Sequence, residues 1–252
     1  MDNNINQSRP PGERRPPAQR RPPSRASEPS LTSQYLIVYN ALCLVLWSTV
    51  TLRAALLIPT LLTFGKLENL FDALFPLLKW TQTIALLEIV HALVGLVRAS
   101  PLTTAMQVAS RILVVWVVLE MFPQIVLTTN IYGRSAPGST TGPIAFAGII
   151  TAWGITEIIR YGFFVWKAAV SERVPAALTW LRYNTFFVLY PIGITSECLL
   201  MYLALTPAQK QGKNVDWLLK AVLGVYVPGS YILYTHMMRQ RRKVMKGKGK
   251  SA

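Results

Sequence analysis

From about residue 35 onward the chain alternates between long apolar runs and short polar breaks. The runs cover residues 35–59, 74–97, 102–128, 143–166, 176–205 and 217–236. Each is close to the roughly 20 residues that a helix needs to cross a bilayer. The breaks are as telling as the runs. Gly65, Lys66, Glu68 and Asp72 separate the first two, a Gly, Ser, Thr and Pro-rich hairpin at 130–142 follows the third, and Pro207, Lys210, Gly212 and Lys213 precede the sixth. The pattern predicts an all-α polytopic membrane protein, a bundle of six transmembrane helices spanning residues 31–238. A tail comes before it and another after it.

Residues 1–30 are Pro, Arg, Ser and Asn with repeated Arg-Arg-Pro-Pro. That composition cannot bury a core, so a disordered basic tail is expected. It is not a cleavable signal peptide, because a charged stretch of this length precedes any apolar run. Residues 239–252 form a second basic tail. Across the 252 residues, 52% are apolar and the mean hydropathy is +0.34, too high for an ordinary soluble domain. The net charge of +15 belongs to the ends. Arg9, Arg14, Arg15, Arg20, Arg21 and Arg25 with Arg239, Arg241, Arg242, Lys243, Lys246, Lys248 and Lys250 supply half of the 26 basic residues.

Those tails flank membrane segments and carry no interleaved aromatics, which argues against nucleic acid and for anionic lipid or topology. An even number of spans puts both termini on one side, and their basic character puts that side in the cytosol. The short loops carry no opposing bias. Lys248 and Lys250, third and fifth from the end, look like a dilysine retrieval signal of the endoplasmic reticulum, with a plain polybasic stretch as the alternative. Several of the seven tryptophans stand at span ends, where interfacial anchoring accounts for them. Cys43 and Cys198 lie in apolar runs without paired spacing, so buried free thiols are expected, and neither a disulfide framework nor a metal site.

Ionisable groups recur inside the spans, where each is costly and is therefore a hypothesis about function. Glu88 and His91 stand three apart in the second span, and Gln107, Ser110 and Arg111 cluster in the third. The fourth carries Trp153, Thr156, Glu157, Arg160, Tyr161 and Phe164 on one stripe. The fifth carries Arg182, Tyr183, Tyr190 and Glu197. Glu88, Glu157 and Glu197 are expected to meet Arg111, Arg160 and Arg182 in the bundle interior. Structural ion pairing is the plain reading for Glu157 with Arg160, and a satisfied buried pair for Glu88 with His91.

Tyr190 and Glu197 read differently. Seven residues advance a helix by roughly 10.5 Å and about 700°, which returns Glu197 to within about 20° of the face carrying Tyr190. An acid and a phenol are thus expected to share one cavity. Pro191 and Gly193 are expected to interrupt the helix between them, exposing backbone that only a protein-lined cavity satisfies at membrane depth. A scaffold or transporter using the same polar residues as helix glue is the competing class. The chain shows no internal repeat of the kind transporters commonly carry.

The segments Leu86-Leu87-Glu88-Ile89-Val90-His91, Gln107-Val108-Ala109-Ser110-Arg111, Trp153 through Tyr161, Arg182-Tyr183-Asn184 and Leu189-Tyr190-Pro191-Ile192-Gly193 with Glu197 carry a resemblance. Together with His236-Met237 and the basic run after it, they resemble the 3-hydroxyacyl-CoA dehydratases of very-long-chain fatty acid elongation, the protein-tyrosine-phosphatase-like family. The match runs in order from about residue 35 to 243. The long Arg/Pro tail lies outside it, and the loop between the fifth and sixth spans is shorter than in animal members. The resemblance implies that Tyr190 and Glu197 are the catalytic pair, in a six-helix protein of the endoplasmic reticulum membrane with cytosolic ends. It implies an acyl-CoA substrate and the other elongation enzymes (elongase, 3-ketoacyl-CoA reductase, enoyl-CoA reductase) as partners.

The older family name suggests phosphotyrosine hydrolysis, which needs a His-Cys-x5-Arg loop with a thiolate nucleophile. Here the stretch is His91-Ala92-Leu93-Val94-Gly95-Leu96-Val97-Arg98, and alanine stands where the thiol would be. Dehydration instead needs a base for the C2 proton, an acid for the departing hydroxyl and stabilisation of charge on the thioester oxygen. Glu197 serves as base and Tyr190 as acid, or the two exchange roles. Arg111, Glu157, Arg160, Tyr183, Glu88 and His91 are candidates to position the thioester or support the pair. The CoA phosphates would stay at the cytosolic surface near Arg98, Lys167 or the tails. No metal or other cofactor is required.

Overall fold

A computed structural model describes residues 30–127, 140–170, 173–211 and 214–248, with side chains as far as Met245. The N-terminal tail, most of the Gly/Ser/Thr hairpin and the final lysine of the proposed retrieval signal lie outside these residues. Among the described residues every regular element is helical, and six helical stretches are long and apolar enough to cross a membrane.

The first span is α1 (Leu31–Thr63). Ser30 caps it by accepting from the Ser33 amide at 3.2 Å. It ends where Gly65 takes a left-handed φ of 64° and the chain folds back, with Lys66 N donating to Leu61 O at 2.9 Å and Gly65 N to Leu62 O at 3.1 Å. This is the hydrogen-bond pattern for which glycine is favoured, since it carries no Cβ penalty at that φ. The second span is split into α2 (Asn69–Ile84) and α3 (Leu86–Leu93). At the split the Glu88 amide turns to Ala85 O at 3.0 Å, leaving the Ile84 carbonyl to the Tyr39 hydroxyl at 3.3 Å. Gly95, with φ 74°, closes α3 in the same manner as Gly65 closes α1.

The third span begins as α4 (Pro101–Ile112), capped by Ser100 with proline in the first turn, and continues as a π-helical stretch over Leu113–Leu119. A single turn, α5 (Gln124–Leu127), follows. The fourth span, α6 (Thr141–Val165), runs on as a π-helical stretch over Trp166–Val170 and is the most buried of the six. It packs against α1 on one side and α8 on another. Small residues permit the close approach. A Cβ on Gly154 would fall 2.1 Å from the Thr51 hydroxyl of α1, and one on Gly148 would fall 2.3 Å from the Ser196 hydroxyl of α8.

The fifth span comprises α7 (Ala176–Asn184) and α8 (Phe186–Gln211). Its interruption falls at Thr185, five residues before Tyr190, and α8 is continuous through Pro191 and Gly193. The expected break between Tyr190 and Glu197 is therefore absent. The reason is directional: proline removes the donor for the carbonyl four residues earlier, here Phe187, and its ring crowds the preceding turn, while the residues after it continue the helix freely. Gly193 acts as a packing site instead, where an added Cβ would lie 3.5 Å from the Ala152 Cβ.

The sixth span, α9 (Val215–Lys248), extends well past the expected end near residue 236. Its basic stretch is helical as far as Lys248. Arg and Lys are good helix formers, so leaving the apolar layer does not end the helix. In the span, α9 packs mainly against α8 and shows Val225, Val227, Tyr231 and Ile232 outward. Trp47 and Trp153 are buried in the core, whereas Trp180 and Trp217 are exposed near the starts of their spans and fit the anchoring role. Cys43 is buried, Cys198 is half-buried, and both are free thiols.

Candidate active site

The interior of the bundle holds a chain of charge running through three spans. Arg111 of α4 donates through Nη1 to Glu157 Oε1, and Arg160 donates through Nε to Glu157 Oε2 at 2.7 Å. Arg160 then reaches across to α3 and grips Glu88 in a bidentate pair, Nη1 to Oε2 at 2.8 Å and Nη2 to Oε1 at 2.6 Å. The Tyr161 hydroxyl donates to the same Glu88. Glu157, only 3% exposed, is thereby held by two guanidinium groups. Burial of charge at this depth is tolerated because every carboxylate in the chain is paired and hydrogen-bonded.

The sequence-based expectations fare unevenly here. Glu157 pairs with Arg160 as its three-residue spacing suggests. Glu88 and His91 are not hydrogen-bonded to each other, although they share a helix face. Glu88 is drawn to Arg160, and His91 Nε2 meets the Tyr35 hydroxyl at 2.8 Å with the Tyr39 ring edge-on at 4.8 Å. A neutral partner is enough for His91 once a guanidinium has claimed the acid. Among the described residues Arg182 joins no carboxylate. It lies against the Phe163 and Phe164 rings at 4.5 and 4.6 Å and near Tyr183 at 5.9 Å, a stacking arrangement open to a planar cation.

Glu197 stands apart from this chain. The residue is 7% exposed, and each carboxylate oxygen has a donor: Trp153 Nε1 to Oε1 at 2.8 Å and the Tyr226 hydroxyl to Oε2 at 2.6 Å. Trp153, 2% exposed, is stacked against the Arg111 guanidinium at 5.2 Å. One indole therefore links the ionic chain to the isolated acid. Trp153 precedes Glu157 by four residues, so Glu197 meets α6 about one turn from the ionic chain.

Tyr190 lies on the same helix, but its hydroxyl is turned to α9, where it donates to the Ser230 carbonyl at 3.0 Å. It lines a cleft of ≈ 330 Å³ between α8 and α9, together with Pro191, Ile194, Thr195, Tyr231 and Tyr234. Glu197 is not among the residues lining that cleft, and no hydrogen bond joins the two groups. The single cavity expected for both resolves into a cleft on the α9 side and a buried carboxylate about two turns along. The roughly 20° offset fixes only the direction in which Cβ leaves the helix, and the rotamers then follow different partners.

Trp153 and Tyr226 are the residues that sequence reasoning did not place at the site. Trp153 stood on the noted stripe of the fourth span but carried no role. Tyr226 sits four residues before Ser230 on a span that shows no ionisable residue between Lys220 and His236 other than tyrosines. Its spacing was a weak signal. Among the described residues no group of His, Cys, Asp and Glu has a metal-binding arrangement.

Comparison with known proteins gives the family. Residues 82–247 match the family described as protein tyrosine phosphatase-like protein, PTPLA. A Schizosaccharomyces pombe protein described as a probable very-long-chain (3R)-3-hydroxyacyl-CoA dehydratase is 40% identical over 219 residues, which cover 86% of this chain and 95% of that one. The Oryza sativa very-long-chain (3R)-3-hydroxyacyl-CoA dehydratase PASTICCINO 2A is 37% identical over 231 residues, with 86% and 95% covered. The Caenorhabditis elegans very-long-chain (3R)-3-hydroxyacyl-CoA dehydratase hpo-8 is 33% identical over 229 residues, with 86% and 96% covered. No solved structure matches the chain. With the family matched across most of the membrane bundle and such relatives spanning nearly their whole length, this chain belongs to the protein tyrosine phosphatase-like, PTPLA, family.

Proposed function

We propose that this multi-pass membrane protein is a very-long-chain (3R)-3-hydroxyacyl-CoA dehydratase, with Glu197 and Tyr190 as its proton-transfer pair. The observation that carries the reading is a carboxylate fixed in the protein interior, on the same helix as a phenol that opens onto a cleft. The names of the relatives supply the reaction, and the scaffold alternative has no comparable support. Phosphatase chemistry lacks its nucleophile, since Ala92 holds that position and His91 is engaged by Tyr35.

In this reading Glu197 takes the proton from C2, and the electron pair of the C2–H bond forms the C2–C3 double bond. The C3–O bond breaks, and Tyr190 protonates the departing hydroxyl to give water. The proton held by Glu197 then restores Tyr190, so the protein is unchanged and substrate becomes trans-2-enoyl-CoA plus water. The substrate hydroxyl would replace the Ser230 carbonyl as the group facing Tyr190. Trp153 and Tyr226 leave lone pairs on Glu197 free, because a carboxylate has about four acceptor positions and two are occupied. Arg98 and Lys167 are exposed and suited to the CoA phosphates. The membrane is that of the endoplasmic reticulum with both termini cytosolic, and the other elongation enzymes are the partners. No metal or further cofactor takes part.

The test is incubation of the purified protein with 3-hydroxypalmitoyl-CoA and detection of trans-2-enoyl product. Wild type should turn over, and Glu197→Gln and Tyr190→Phe should each lose about 100-fold or more. An inactive wild type, under conditions where a known dehydratase works, would overturn the function. Equal rates for wild type and both variants would overturn the site.

A further inference from the structure

The sixth span holds both members of the proposed pair. Tyr226 donates to Glu197 Oε2 at 2.6 Å, and one turn later the Ser230 carbonyl accepts from Tyr190 at 3.0 Å. Residues four apart on α9 thus meet residues seven apart on α8. The two contacts differ in kind. Ser230 offers a backbone acceptor that a substrate hydroxyl can replace, whereas Tyr226 presents a hydroxyl to a buried carboxylate, the stronger, charge-assisted class of bond.

We propose that Tyr226 is a positioning residue for the dehydration: with Trp153 it fixes the plane of the Glu197 carboxylate and so aims one free lone pair at the substrate C2–H. The inference rests on the dehydratase reading, in which Glu197 meets the substrate. Two donors from different helices, one per oxygen, define a carboxylate plane that one donor would leave free to rotate about the Cγ–Cδ bond. Trp153 is immobilised by burial and by Arg111 on its face, so it supplies a rigid anchor. Tyr226 comes from α9, whose membrane-facing side is exposed, so the second restraint depends on α9 lying against α8. When Glu197 accepts the C2 proton on its free lone pair, the Tyr226 hydrogen bond to Oε2 is kept throughout.

Tyr226→Phe removes the hydroxyl and keeps the ring. We expect kcat to fall by about 10- to 100-fold, the scale on which small misplacements at a reacting centre are felt, with KM within about threefold of wild type. The deuterium isotope effect with C2-deuterated substrate should rise, because C–H cleavage becomes more fully rate-limiting. A variant that merely lost folded protein would keep the wild-type isotope effect and KM. Tyr202→Phe, on α8 and half exposed, serves as the control and should match wild type. Should Tyr226→Phe not fold, 4-fluorophenylalanine introduced at position 226 keeps the ring and a para substituent of similar size while removing the donor, and an unchanged kcat would overturn the proposal. A Tyr226→Phe enzyme at wild-type kcat, or one with an unchanged isotope effect, also overturns it. If Glu197→Gln is inactive while Tyr226→Phe is normal, only the present inference fails. If Glu197→Gln is itself active, the site reading fails with it.

Discussion

Replacing Glu157 by glutamine should unfold the bundle more readily than any other single isosteric change in the interior, and should also slow turnover. Glu157 accepts from Arg111 Nη1 and from Arg160 Nε, with Arg160 Nη2 in ion-pair contact, while itself almost fully buried. Glutamine keeps the shape but removes the charge and turns a donor toward a guanidinium. Only the Arg111 bond crosses between helices, and such a bond in a membrane is worth roughly 0.6–1.7 kcal/mol. Leaving a buried partner without its countercharge costs more, about 3–5 kcal/mol, and sets the size of the effect. At about 1.4 kcal/mol per tenfold, the unfolding equilibrium should shift by about a hundredfold to a few thousandfold. Arg160 retains Glu88, so Arg111 is the group left without a carboxylate. Its stacking partner Trp153 holds Glu197, which is why kcat should fall along with stability. Equilibrium unfolding in mixed micelles reads the first effect, and the rate per folded molecule reads the second. A Glu157→Gln protein within about 0.5 kcal/mol of wild type and fully active would refute the reasoning.

The close helix approaches offer a graded comparison. A Cβ at Gly142 would lie 2.0 Å from the Ile125 carbonyl oxygen, backbone that cannot swing aside, so Gly142→Ala should cost roughly 1–3 kcal/mol and lower the melting temperature. Gly154→Ala meets the Thr51 hydroxyl instead, so Thr51→Ala should restore most of the loss in the double variant, and a failure to do so would count against the packing described. Tyr35→Phe should destabilise by about 0.5–1.5 kcal/mol through loss of the His91 hydrogen bond and leave kcat within about twofold, as measured by thermal unfolding and turnover. A large loss of kcat would give His91 a role in the chemistry.

The spans were legible because hydrophobic runs of membrane-crossing length leave few alternatives. Helix ends were less so. α9 runs on through Arg239 and Arg242 because hydropathy reports the apolar layer, and nothing in a run of Arg and Lys stops hydrogen bonding along the helix. The partners of buried charges were legible only within one helix. Glu157 and Arg160 follow their spacing, whereas Glu88 passes over His91 for an arginine two spans away, a choice made by three-dimensional proximity. The same limit hid Tyr226: nothing in a tyrosine on an apolar span reveals that a carboxylate on the neighbouring helix faces it. The break expected at Pro191 is absent because a proline withdraws a donor from, and crowds, only the turn before it, so the helix runs on past it.

The ionic chain has a consequence for biogenesis. The second span contributes one acid and the third one base to it, while the fourth brings both an acid and a base within a single turn. As the nascent polypeptide leaves the ribosome, Glu88 and Arg111 must enter the membrane before the turn that neutralises them has been made, each at a cost of up to about 2.5–3.5 kcal/mol, the figure for a charge at the centre of a spanning helix. The early hairpins are therefore poor permanent residents of the membrane. It is the arrival of the fourth span, acting as a clasp between them, that neutralises both charges.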